Sequence, residues 1–152
     1  MIRTQSLREL AAGGRLEPAH LDEARRLVNC MLLRLACQNG TPEDFDAIDR
    51  KIAEIENYAG AQKRGEASVE FSRLITTAAH NDVLVVVAET LATLLRHVLQ
   101  TDATLRARPD LVPVRRKILS HLRERDPDAA EAEMSRYFEQ LRRAAALQET
   151  HA

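Results

Sequence analysis

The sequence predicts an all-α protein, an antiparallel bundle of about six main helices around a central buried helix. Three observations carry this expectation. Apolar residues recur at the three-four spacing of a helical face in each long segment. The five prolines and five glycines nearly all fall where those segments end. Aromatics make up only 3% of the chain, with no Trp, so the core must be built from Leu, Val, Ile and Ala, and β-branched alternation of the kind strands require is missing. With 152 residues, 45% of them apolar, the chain suits one domain with one sizeable core.

Residues 1–16 read as a lead-in segment in which Ser6–Leu10 can form a brief helix ended by Gly13-Gly14. Residues 17–147 form the helical domain, and 148–152 a disordered tail. The first long helix starts near Pro18, a residue suited to a first turn, and carries Leu21, Ala24, Leu27, Val28, Met31, Leu32 and Leu35 to Asn39-Gly40. Thr41-Pro42-Glu43-Asp44 then supplies a hydroxyl cap, a first-turn proline and acids against the helix dipole. Phe45, Ile48, Ile52 and Ile55 follow as one stripe, opposite a charged face. Gly60–Gly65 is expected to connect to a third helix from about Glu66 to Ala79. Asn81-Asp82 caps a fourth, whose apolar pattern runs from Val83 to Leu99 nearly all round, which predicts that it is the buried, central one. A polar loop over 101–109 leads to a fifth helix of about Pro109 to Arg125, with Pro113 in or near its first turn. Asp126-Pro127-Asp128 starts the last, which carries Met134, Tyr137, Phe138 and Leu141 inward.

A formal net charge of -1 with acids and bases interspersed argues against nucleic-acid binding by this chain alone. The one basic run, Val114-Arg115-Arg116-Lys117, reads for Arg116 and Lys117 as a partly exposed helix face. No stretch reaches the ~18 apolar residues of a membrane span, and the first residues lack the apolar run of a signal peptide, so a soluble, cytoplasmic protein is expected. Cys30 and Cys37 lie two turns apart on one helix, roughly 10 Å, too far for a disulfide, and read as core thiols.

Enzymatic patterns are absent: no Gly-rich phosphate loop, no Gly-x-Ser-x-Gly turn, no His-Glu-x-x-His helix, and no nucleophile-base or acid pair at interpretable spacing. The expectation is therefore a binding domain and not an enzyme. His97, on the fourth helix, reads first as a core histidine and second as a ligand contact. More informative are polar residues on inward stripes: Ser68 and Ser72 beside Phe71 and Ile75, Arg115 with Ile118, Leu119 and Leu122, Tyr137 with Met134 and Phe138, and Arg25 beside Val28 and Leu32. A buried arginine needs an acidic partner, a route to solvent, or an anionic ligand. Polar positions on several helices of one bundle are where such folds build ligand sites. The other reading is a ligand-free helical protein-protein interaction module with a filled core.

Several of these stretches resemble a known family. Leu21-Asp22-Glu23-Ala24-Arg25-Arg26-Leu27, Glu70-Phe71-Ser72-Arg73-Leu74-Ile75, Ala78-Ala79-His80-Asn81-Asp82-Val83-Leu84 and the segment Arg115 to Leu141 are similar, in order and spacing, to the FadR C-terminal (FCD) ligand-binding domain of GntR-type transcriptional regulators. The resemblance implies a helical bundle around a pocket, a homodimer, and a small-molecule effector. It also implies that DNA is bound by a winged helix-turn-helix ahead of this domain, for which the residues before the first long helix are too few. Many members hold a divalent metal through an Asp and three His. Carried over by position, these ligands fall on Ser68, Ser72, Arg115 and Tyr137. Hydroxyls and a guanidinium do not replace imidazole and carboxylate, so no metal and no cofactor is expected. In their place Arg115, with Tyr137, Ser68, Ser72 and the first-helix Arg25, would bind an organic acid or acyl metabolite through its anionic group.

Overall fold

The computed structural model describes Glu9, Gly13 and residues 16–57, 61–101 and 110–150. Six long helices make up the described chain: α1 (Pro18–Asn39), α2 (Pro42–Glu56), α3 (Ala61–Ala78), α4 (Asp82–Thr101), α5 (Val112–Glu124) and α6 (Pro127–Glu149). The expected brief helix at Ser6–Leu10 and most of the loop over 101–109 lie outside the described residues.

Helix starts follow the sequence signals closely. Thr41 and Asp44 close a reciprocal capping box on α2, Thr41 accepting from the Asp44 N–H and Asp44 from the Thr41 N–H. Asn81 Oδ1 accepts the Leu84 N–H to cap α4, and Asp126 Oδ1 accepts the Ala129 N–H to cap α6. Pro113 sits in the first turn of α5. α3 begins at Ala61, earlier than the expected Glu66, and takes Gly65 into its interior. The good helix formers Ala61, Gln62, Lys63 and Arg64 carry the helix across the ~1 kcal/mol cost of one glycine.

The centre of the bundle differs from expectation. Among the described helices α4 packs against α1 and α3 alone, and Val83 and Val86 on its outer side are 74% and 63% exposed. The helix enclosed on several sides is α1, which meets α3, α4, α5 and α6. Its buried residues Leu21, Leu32, Leu33, Ala36, Cys30 and Cys37 spread over about half its circumference, whereas the valines of α4 supply apolar surface that the described residues leave exposed. Apolarity all round marked the wrong helix because β-branched residues on an outer face look, in sequence, like a second buried face.

The core joins α1, α2 and α3 to α5 and α6 through Leu32, Leu33, Phe45, Ile48, Ile52, Phe71, Ile75, Ile118, Leu122, Met134 and Tyr137. Cys30 and Cys37 are buried free thiols, as expected, and burial pushes both pKa values up, which leaves them unreactive. α2 is fastened to α5 by ion pairs on the outer surface, Arg116 to Asp49 and Glu56 and Arg123 to Asp46 and Asp49. Arg125, which ends α5 in the left-handed conformation (φ 59°), donates from Nη1 to the Cys37 carbonyl and lies 4.9 Å over the Phe45 ring. Those contacts offset the cost of that backbone in a residue with a Cβ.

Two predictions follow from these end structures. Gly40 closes α1 with an extended backbone (φ -61°), so its conformation would suit any residue; what excludes a side chain is space. A Cβ there would lie 2.6 Å from the Ala36 carbonyl oxygen and 2.6 and 2.8 Å from two Phe45 ring carbons. Gly40→Ala should lower unfolding stability by about 1–3 kcal/mol in urea titration, by overpacking; an unchanged midpoint would refute the steric account. Asp44 also accepts from His80 Nε2 at 2.7 Å. Burial alone would raise its pKa, but hydrogen bonds from the Thr41 backbone, His80 and the Thr41 hydroxyl outweigh it and hold the carboxyl below its ordinary value. A depressed carboxylate stabilises the fold above its unfolded pKa and loses that contribution as pH falls through the folded one. Asp44→Asn should therefore be less stable than the parent by about 0.5–2 kcal/mol at pH 7. The gap should narrow on acidification below about pH 4, as thermal melts across that range would register.

Candidate functional site

A cavity of about 280 Å³ lies between α1, α3 and α4. α1 contributes Arg25, Val28 and Asn29; α3 contributes Val69, Ser72, Arg73, Thr76 and Thr77; and α4 covers it with Val85, Ala88, Glu89, Leu91, Ala92, Thr93, Leu95 and Arg96. Helical spacing places these groups. On α3, Phe71, Ile75 and Ala78 are buried in the core, and the next residues round the helix, Ser72 and Thr76, fall on the flank of that stripe. On α1, Arg25 and Asn29 are one turn apart, above the apolar run that begins at Leu32.

Arg25 is only 3% exposed, and its Nη1 is 3.4 Å from Asp22 Oδ1, a long contact to an exposed carboxylate. Its guanidinium lies 5.2 Å over the Phe138 ring. Asn29 Nδ2 donates to the Arg25 carbonyl at 2.7 Å. Three threonine hydroxyls in the wall donate to their own helices: Thr76 to the Ser72 carbonyl (2.9 Å), Thr77 to that of Arg73 (3.1 Å) and Thr93 to that of Glu89 (2.9 Å). Arg73 grips Glu70 through Nε (3.0 Å) and Nη2 (2.6 Å). That pair of bonds holds the Glu70 carboxyl below its ordinary value and raises Arg73.

Of the six residues singled out by sequence, the cavity wall unites Arg25 and Ser72. Arg115 and Tyr137 meet each other in the core instead. Arg115 is 2% exposed, with its guanidinium 5.4 Å over the Phe71 ring and 5.7 Å over that of Tyr137. Tyr137 stands edge-on to Phe138 at 5.4 Å, and Phe138 carries Arg25 on its face. The two buried arginines are thus linked through aromatic rings, with Arg25 at the cavity and Arg115 behind it. Ser68 precedes Ser72 by one turn of α3, and its side chain lies outside the described residues. His97 is half-buried on α4 and does not line the cavity. Asn29, Thr76, Thr77 and Glu89 were missed by the sequence reading. Two of them carried a signal, since Asn29 and Thr76 lie four residues beyond Arg25 and Ser72 on the same helical faces.

The positions that resemble the metal site do not fit a metal. A guanidinium has no lone pair to offer and already carries a positive charge; here it occupies the aromatic faces of Phe71 and Tyr137. Serine hydroxyls and a phenol complete a donor set that lacks imidazole and carboxylate. Among the described residues no group of three or more His, Cys, Asp or Glu stands close enough to hold an ion.

A helical bundle that keeps a partly polar cavity between three helices, with a buried cation in its wall, has the architecture of an effector-binding regulatory domain. Residues 20–140 match the FCD domain family, and the chain belongs to that family. Its members are regulatory rather than catalytic. Among solved structures the fold is similar to E. coli McbR/YncC, at 16% sequence identity and a TM-score of 0.63, over 97% of this chain and 83% of that one. No curated protein matches the sequence. Among the described residues no helix is long and apolar enough to cross a membrane.

The donor set yields a direct prediction. Zn2+, Mn2+ or Ni2+ at tens of micromolar, or EDTA, should leave the melting temperature unchanged in differential scanning fluorimetry. A saturable metal-dependent rise would overturn the assignment.

Proposed function

We propose that this domain is the sensor of a GntR-type transcriptional regulator and binds a small organic acid or acyl metabolite in the cavity between α1, α3 and α4. Arg25 carries the proposal. A guanidinium 3% exposed, at the wall of a cavity and 3.4 Å from an exposed carboxylate, puts a buried positive charge where a ligand carboxylate can meet it. Ser72, half-buried beside it, adds a hydroxyl. Arg115 and Tyr137, behind the cavity, support this wall through Phe138 and Phe71 rather than reaching the ligand first. In this reading residues 17–147 are the sensing unit, DNA is contacted by a winged helix-turn-helix outside this chain, and the domain pairs with a second copy of itself.

A second reading, the helical interaction module, draws on a separate observation. Val83, Val86 and Val87 of α4 and Leu27 and Met31 of α1 are exposed, although large apolar side chains usually seek cover. The two readings combine if that surface is the self-association face of a sensor.

A fluorimetric screen of organic acids should give at least one that stabilises the fold, by about 2.7 kcal/mol at a hundred times its Kd. Arg25→Met keeps volume and the contact with Phe138 but removes the charge, and should weaken that acid at least tenfold, about 1.4 kcal/mol. If no acid stabilises the protein, or Arg25→Met binds it equally well, the sensor reading fails and the interaction module stands.

A further inference from the structure

The residue at position 22 bears on how strongly Arg25 can hold an anion. Asp22 stands three residues before Arg25 on α1, a spacing at which two side chains on a helix are neighbours. Glu70–Arg73 and Glu133–Arg136 have the same order and spacing, and there the charged groups meet at 2.6 and 2.7 Å, within reach of a charge-assisted hydrogen bond. Asp22 Oδ1 stops 3.4 Å from Arg25 Nη1. Two features of the chain account for the gap. An aspartate is one methylene shorter than a glutamate. The Arg25 guanidinium is also turned inward, 5.2 Å over the Phe138 ring, whereas the Asp22 side chain is 61% exposed. Phe138 and Asp22 thus draw one cation in different directions. In its seat on Phe138 the guanidinium lines the cavity, whose wall does not include Asp22.

We infer that Asp22 is an internal competitor for Arg25, and that the length of its side chain sets the affinity of the cavity for an anion. The inference rests on the reading of Arg25 as the carboxylate contact and adds the residue that tunes it. A guanidinium drawn fully onto residue 22 leaves the Phe138 face for the solvent side. Closing that pair and binding a carboxylate in the cavity are therefore alternatives. Apparent affinity falls with the fraction of molecules in the binding-competent state. Asp22 is near enough to meet part of the charge of a buried cation while the cavity is empty, and too short to withdraw it. A glutamate would reach. An asparagine keeps the shape of Asp22 and removes the negative charge that an incoming carboxylate has to oppose. Affinity for an anion should thus run Asn above Asp above Glu at position 22, while stability of the empty protein runs the other way. Opposite orders separate competition from a structural role, in which damage to the site lowers both.

The test is a heteronuclear NMR titration of the full chain with propanoate, followed at the backbone amides of Asn29 and Thr76, together with thermal melts of the ligand-free protein. Asp22→Asn should bind propanoate about two- to fivefold more tightly than the parent, and Asp22→Glu about two- to fivefold more weakly, the range that an exposed ion pair supplies. The melting temperature should be lowest for Asp22→Asn and highest for Asp22→Glu. Neutral propanamide should not distinguish the three proteins. Asp22 is exposed, so neither variant threatens the fold. Asp22→Glu carries the charge of the parent, so its loss of affinity reports the contact and not the overall field. In an Arg25→Met background that loss should disappear. Equal affinity of the parent and Asp22→Glu, or no gain in Asp22→Asn, overturns the competition and leaves the sensor reading intact. If none of the three proteins binds propanoate, the competition is overturned as well, and the sensor reading falls with it only if the wider acid screen also yields no stabilising ligand.

Discussion

Helix α1 has to satisfy two kinds of neighbour at once. Leu32, Leu33 and Ala36 are fully buried in the common core with α2, α3, α5 and α6, while one or two turns earlier Arg25 and Asn29 are buried as well, but among polar groups. A buried guanidinium is tolerated only where its charge is met. Here the terms come from the Phe138 face, the distant Asp22 carboxylate and the polar wall of the cavity. The apolar half of α1 fixes the positions of the helices around it, and those positions hold the cavity open above the polar half. A substitution that let α1 rotate would close the cavity and strand Arg25 together, because both depend on the same helix register.

Much of this was legible in the sequence, because it rests on local chemistry. The helix starts at Thr41, Asn81 and Asp126 announced themselves through cap residues whose bonds reach only three positions along the chain. The inward stripes of α3, α5 and α6 were equally plain, including the buried positions of Arg115 and Tyr137; on α1 Leu21 and Leu32 are buried as expected, but Leu27 and Met31, read onto the same face, are exposed, and Leu33 and Ala36 are buried in their place. Periodicity states which face is buried but not what buries it. For α4 the valines at 83, 86 and 87 gave the pattern of a central helix, although they lie on the outer side of a peripheral one. Likewise the resemblance brought Ser68, Ser72, Arg115 and Tyr137 together as successors to one metal site. In the structure the bulk of Phe71 and Tyr137 fills the space around Arg115, and the remaining cavity shifts toward Arg25, Asn29 and Thr76. Volume is a property of facing side chains, and no single helix carries it in its sequence.

Arg115 gains its meaning from that displacement. A metal ion binds its ligands through their lone pairs, whereas a guanidinium binds aromatic rings through their faces. An arginine and a tyrosine where the resemblance places imidazoles suit different neighbours, and Phe71 and Tyr137 are the neighbours that suit a cation. The centre of the bundle keeps a positive charge, but one fixed in the chain and packed into a hydrophobic cluster. In the proposed reading, ligand recognition is left to the cavity next to it, on the other side of the Phe138 ring that Arg25 shares.

The placement of the cavity also bears on how binding can be felt elsewhere. α1 and α3 are secured by the main core, but among the described helices α4 rests on those two alone, and its inner face forms one whole side of the cavity. A ligand there touches fixed and peripheral elements together, so its binding free energy accrues to the arrangement in which α4 is seated. A ligand shifts an equilibrium only by its difference in affinity for the two states. An α4 seated over a filled cavity and one seated over an empty cavity differ in the contacts of Val85, Ala88, Leu91 and Leu95, all on the inner side. The outer side of the same helix carries Val83, Val86 and Val87. If the proposed ligand occupies the cavity, one helix with ligand contacts on one face and exposed apolar residues on the other would link occupancy to any partner docked on that surface, without a longer pathway through the core.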